Sequence, residues 1–167
     1  MADPSDILGT IAEIAITLAG FTGLIGVFRP HRPWSEQEVA RLQTIVAACF
    51  TCMLAALLPF GLAGYTERPA ILWGLPLGTF AILQIAILGY LYLRYRQGAF
   101  RPSGVTSWAV LGANAVLSVL FLLSASGVLI QPSAGLLVLA CTWGIVFPAI
   151  GFALTFVVVT RARDGAA

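Results

Sequence analysis

The chain has 167 residues, 59% of them hydrophobic and only 10% charged, and a formal net charge of +2. A water-soluble domain of this length covers its outside with charged side chains, and here there are too few to do so, which excludes a soluble globular protein. The basic residues are all arginine and stand at the ends of apolar runs, a topology signal and not a nucleic-acid footprint, so no nucleic-acid partner is expected.

The first apolar run, Ile7–Phe28, is long enough to cross a bilayer as a helix. Its start is acidic, with Asp3 and Asp6, and its core is too long for a signal peptide, so the segment is expected to be retained. It carries many small residues, among them Gly9, Ala12, Ala15, Ala19, Gly20, Gly23 and Gly26, which suit close helix contact better than contact with lipid. It also carries Glu13. Thr10, Glu13, Thr17 and Gly20 recur at three- and four-residue spacing and share one helix face. An ionised group at mid-depth costs about 2.5–3.5 kcal/mol on insertion scales, so this face is expected to meet protein or water, inside a bundle or an oligomer. Such a stripe can line a water path, bind a cation or relay protons; the structural alternatives for Glu13, in the outer third of the span, are a carboxyl bonded to a neighbouring helix, with Thr79, Thr142 and Trp143 as candidate partners, or one shallow enough to reach the outer headgroups.

The phrase from Ala12 to Phe28, AEIAITLAGFTGLIGVF, resembles the opening span of small uncharacterised bacterial multi-pass inner-membrane proteins. The resemblance covers the first span alone. It implies a bacterial inner-membrane location and no activity.

The connection that follows, RPHRPWSEQEVAR, is the largest polar segment. Pro30 and Pro33 keep its start from being helical, and Ser35 with Glu38 has capping-box spacing, so a helix is expected to begin near Trp34–Ser35 and to run into the second span. His31 lies between Arg29 and Arg32, with no second metal-ligand candidate beside it, and reads as a solvated loop residue.

Four more spans follow at Leu42–Tyr65, Ile71–Leu93, Val105–Ile130 and Gly135–Thr160. Arginines 29, 32, 41, 94, 96, 101, 161 and 163 then fall on one side, and only Arg68 on the other. The positive-inside rule puts the N-terminus outside and the C-terminus in the cytoplasm. Short connections predict one antiparallel hairpin from the second and third spans and another from the fourth and fifth. Shared marks suggest a duplication of that hairpin: Phe28-Arg29-Pro30 and Phe100-Arg101-Pro102, Trp73-Gly74 and Trp143-Gly144, Arg94-x-Arg96-x-Gly98-Ala99 and Arg161-x-Arg163-x-Gly165-Ala166.

Within these spans Gln84, Asn114 and Ser118 lie near mid-depth, with Asn114 and Ser118 on one face. They read either as a substrate path or, more commonly, as interhelical hydrogen-bonding groups. Pro59, Pro76 and Pro148 each remove a helical hydrogen bond. Cys49-x-x-Cys52 resembles the thiol pair of the vitamin K epoxide reductase family, which passes electrons between thiols and a quinone. That family also uses a relay pair of cysteines in an outer loop, whereas the one other cysteine here, Cys141, lies in a span, so these thiols are expected to be packing residues. No cysteine, histidine and carboxylate cluster has metal-ligand spacing, no glycine-rich loop forms a phosphate cradle, and no catalytic constellation is present, so no cofactor, metal or enzymatic role is expected.

The reading is an all-α integral membrane protein: one transmembrane domain spanning 1–167, a five-transmembrane-helix bundle, N-out and C-in, with a duplicated helical hairpin after the first helix as a candidate feature. The expected function is a homo-oligomeric ion-conducting channel in the lipid bilayer, using Thr10, Glu13, Thr17 and Gly20 as the path for inorganic ions or protons. The alternatives are a small ion-coupled transporter with its site near Gln84, Asn114 and Ser118, or a non-catalytic subunit of a larger membrane complex.

Overall fold

The computed structural model describes residues 3–28, 34–100, 102 and 104–164, and the side chains of these except 25–28, 104–106, 152 and 154–164. Arg29, Pro30, His31, Arg32, Pro33, Arg101 and 165–167 lie outside the described residues. Among the described residues the fold consists of five helices: α1 Pro4–Phe28, α2 Glu36–Leu62, α3 Pro69–Arg96, α4 Gly104–Ala125 and α5 Ala134–Asp164. Each is long and apolar enough to cross a membrane. The chain is a multi-pass membrane protein by this measure.

Local chemistry sets the helix ends. Asp3 caps α1 by accepting the Ser5 N–H at 3.2 Å, and Pro4 takes the first helical position, where its missing N–H costs nothing. α1 therefore begins about a turn earlier than its apolar run. The capping box predicted for α2 forms in full: the Ser35 N–H donates to Glu38 Oε2 at 3.0 Å and the Glu38 N–H donates to Ser35 Oγ at 3.3 Å. α3 and α4 both stop at a glycine of positive φ, Gly98 at 75° and Gly127 at 76°. Ala99 N–H then reaches the Arg94 carbonyl and Gly98 N–H that of Tyr95; Val128 N–H reaches Leu123 and Gly127 N–H reaches Ser124. These are Schellman closures. The second ends α4 at Ala125, short of the Ile130 expected from hydropathy, and leaves Val128, Leu129 and Ile130 in an exposed turn.

Helix register follows from cross-helix neighbours. Gly74 faces Ala125 and Pro132, Phe80 faces Phe121 and Gly144, Gln84 meets Asn114, Tyr90 meets Gln43, and Tyr95 meets Trp108. Sequence numbers rise on one helix as they fall on the other across α3 and α4, and likewise across α2 and α5, where Ile45 meets Gly151 and Cys52 meets Cys141. These pairs run antiparallel, and the start of α2 meets the end of α3 through Gln43 and Tyr90. This gathers Arg41, Arg94 and Arg96 at one end, toward which the arginine-bearing last turn of α5 also runs, and leaves Arg68 at the other.

The core is built largely from small residues. Ala12 and Ala15 of α1, Ala48, Cys49, Cys52, Ala55 and Ala56 of α2, and Ala140 and Cys141 of α5 are all buried. Small side chains let helices approach until dispersion contacts are dense, which is what drives association where lipid competes for apolar surface. Phe80 fills the remaining space, its ring lying where a Cβ on Gly144 would stand 2.7 Å away. Pro59, Pro76 and Pro148 lie inside their helices as expected, and all three are buried.

One expectation about packing is corrected. α2 and α3 do form a packed hairpin, but α4 and α5 do not: α4 lies against α3 and only grazes α5, while α5 packs on α2 and α1. The physical reason is shape. α5 offers Ala140, Cys141 and Gly144 to α2 and α3, which close on it tightly, and the connection from Gly127 to Ser133, with Pro132 packed on Gly74 of α3, carries the chain past α4.

Candidate functional site

Two polar groupings stand out within the bundle. The first joins α3, α4 and α5. Asn114 is its centre: its Nδ2 donates to Gln84 Oε1 at 3.4 Å and its Oδ1 accepts the Trp143 indole N–H at 2.9 Å. Ser118 donates to the Asn114 backbone carbonyl at 2.7 Å, one turn back on the same helix. Gln84 and Asn114 are wholly enclosed and Ser118 is 1% exposed, so the cluster is closed to anything larger than a water. One donor is left over: Gln84 Nε2 has no partner. Gln84, Asn114 and Ser118, read from sequence as interhelical hydrogen-bonding groups or a substrate path, form a bonded knot, and the Trp143–Asn114 bond ties α4 to α5 where they otherwise hardly meet.

The second grouping is on α1. Leu8, Ile11, Ala12, Ala15 and Thr22 are buried against α2 and α5. Thr10, Glu13, Thr17 and Gly20 all lie on the opposite, exposed face. The expectation that this helix turns inward therefore holds for its alanines and fails, within one chain, for its polar stripe. Thr10 and Thr17 spend their hydroxyl hydrogens on the carbonyls of Asp6 and Glu13, at 3.0 and 2.8 Å, and so present oxygen lone pairs outward. No described residue reaches the Glu13 carboxylate. Trp143 bonds Asn114, Thr142 bonds its own Val138 carbonyl, and Thr79 sits on α3, which does not touch α1.

The structure adds Asp6 to this stripe. It lies one heptad before Glu13 on the same exposed face, about 10 Å along the helix. Counting the span from Ile7 hid it; the Asp-Pro start of the helix was the signal that would have included it.

Around the stripe, α1 is open. A Cβ placed on Gly9, Gly20 or Gly23 would meet nothing within 4 Å, and a cavity of about 380 Å³ runs between α1 and α2 past Ala19, Gly20, Gly23, Val46, Phe50 and Met53. The thiols stand elsewhere: Cys49, Cys52 and Cys141 are buried, and the Cys52 thiol donates to the Cys141 carbonyl at 3.1 Å. Among the described residues no cluster of histidine, cysteine and carboxylates is placed to hold a metal.

Comparison with protein-family models, curated proteins and solved structures finds no match to this chain.

Proposed function

We propose that the protein is a homo-oligomeric channel for cations or protons, its path lined by α1. One observation carries this reading: α1 has two opposite faces, one locked on α2 and α5 through Leu8, Ala12 and Ala15, the other turning Glu13 away from the protomer within a span. A lone protomer would hold that carboxylate against acyl chains, at a cost of up to about 2.5–3.5 kcal/mol if ionised, and less toward the membrane edge. Copies arranged with α1 toward a common axis remove that cost, since each Glu13 then joins a ring of carboxylates in water. Such rings favour cations. Thr10 and Thr17 add oxygen lone pairs above and below the ring, and Asp6 adds a second acidic ring at the mouth. The open glycine surface of α1 lets neighbouring helices come close.

The arginine-rich end belongs in the cytoplasm by the positive-inside rule, which sets Asp3 and Asp6 at the outer mouth; a bacterial inner membrane is what the resemblance of the first span implies. The transporter alternative has less support, because Gln84 and Asn114 bond one another in an enclosed knot.

Native mass spectrometry of the protein released from lipid bilayers, with cation flux measured in liposomes, tests the proposal. A closed ring of four or more copies whose flux falls several-fold in Glu13→Gln supports it. A monomer, or Glu13→Gln with wild-type flux, overturns it. A fixed complex with a different chain would favour the accessory-subunit reading instead.

A further inference from the structure

The arginine-rich end holds a cavity that neither polar grouping uses. It has a volume of about 90 Å³ and lies between α2, α3, α4 and α5, with Arg41, Thr44, Ser107, Leu111, Phe147 and Ile150 among its walls. Apart from Arg41, Thr44 and Ser107 the lining is apolar, and Thr44 spends its hydroxyl hydrogen on the Ala40 carbonyl. Arg41 is half-buried and makes no hydrogen bond or ion pair with the described residues. It feels Glu38 one turn back, but that carboxylate already accepts from the Ser35 N–H and hydroxyl, at 3.0 and 2.8 Å. A second cavity, of about 180 Å³, shares Leu91, Phe100, Pro102 and Leu111 with the first and carries the groove out between α3 and α4 to Tyr92, Tyr95 and Trp108. Tyr95 and Trp108 meet edge to face there, and both are exposed.

We infer that this groove is a binding site for one anionic phospholipid per protomer. The guanidinium takes the headgroup phosphate, and an acyl chain lies along Leu91 and Leu111 between α3 and α4. Three features point to that occupant and not to a protein segment. The only described charge in the groove is a cation, and its planar fork matches phosphate oxygens. Apart from the Thr44 and Ser107 hydroxyls and the polar tips of Tyr92, Tyr95 and Trp108, the other walls are apolar, which suits a hydrocarbon tail. The groove opens beside an aromatic pair of the kind that marks the headgroup level. Basic pockets between spanning helices hold anionic headgroups by this chemistry. Nothing in this inference depends on the ion path along α1.

The test is lipid retention in native mass spectrometry, with the protein exchanged into equimolar phosphatidylglycerol and phosphatidylcholine of the same chain length. The expected result is one retained phosphatidylglycerol per protomer, preferred about fivefold, the factor one arginine lends an anionic lipid near the surface. Arg41→Gln should remove the preference, and Arg68→Gln, at the other end, should keep it. Leu111→Trp keeps the guanidinium but fills the groove and should also lose the retained lipid, so it decides the matter if Arg41→Gln fails to fold. Equal retention of the two lipids, or a preference untouched by both Arg41→Gln and Leu111→Trp, overturns the inference. Displacement of phosphatidylglycerol by inorganic phosphate at millimolar concentration also overturns it, since the site would then be for a free anion.

Discussion

The knot of Gln84, Asn114 and Trp143 and the stripe of Thr10, Glu13 and Thr17 are made of similar material. Each sets polar side chains at helical spacing inside a span, and each includes a group that lipid tolerates poorly. They stand in opposite surroundings. The knot is enclosed by three helices, and all but one of its side-chain donors are used. The stripe is on the far side of its helix from the core, and its carboxylate has no partner among the described residues. The contrast teaches that burial in a membrane protein is decided by what small residues lie opposite. On α1 the alanines of the other face take the core, so the carboxylate has to face out. On α3 and α4 the amides meet one another and the Trp143 indole, and they go in.

Substitutions separate the two regions, because one should act on stability and the other on transport. The largest effect is expected beside the knot, at Gly144→Val. Its Cβ would stand 2.7 Å from Phe80 Cε2, and overpacking of this kind costs about 1–3 kcal/mol. Thermal unfolding in detergent should show a clear fall in Tm. Asn114→Leu comes next. It strands the Trp143 N–H and the Gln84 oxygen together, which in a membrane interior should cost about 1–2 kcal/mol by the same measurement. Gln84→Leu removes a long bond and, with it, the orphaned Nε2, so its cost should be under about 0.5 kcal/mol. Equal losses from Asn114→Leu and Gln84→Leu would mean that the knot is not centred on Asn114. The smallest stability change is expected at Glu13→Gln, within about 0.5 kcal/mol, because the side chain is exposed and makes no hydrogen bond or ion pair with the described residues. Cation flux is where that variant should be several-fold impaired. If Glu13→Gln instead unfolds the isolated protomer, the carboxylate belongs with the knot as a structural group.

Much of the architecture was legible in the residues. Run length and arginine placement give the number of spans, since a bilayer fixes the length of an apolar helix and penalises charge within it. The Ser35–Glu38 box and the interior prolines read correctly because their chemistry is local. The end of α4 read less well: hydropathy runs on through Val128, Leu129 and Ile130, and Gly127 stops the helix by its backbone conformation, which hydropathy does not register. Asp6 was passed over for a related reason, since the N-cap at Asp3, and not the first apolar residue, decides where α1 begins.

The paired helices mark the limit. Trp73-Gly74 and Trp143-Gly144 look alike in sequence, yet Gly74 admits the Ala125 carbonyl and Pro132, whereas Gly144 admits the Phe80 ring. The sequence by itself determined how many helices there are, where most of them start, and that polar groups would have to be sheltered. Which helix lies against which, whether Trp143 bonds Glu13 or Asn114, and which way Glu13 faces were decided only by the tertiary structure. The reason is that helical periodicity fixes which residues share a face, while the direction of that face depends on how closely the backbones of other helices can approach it.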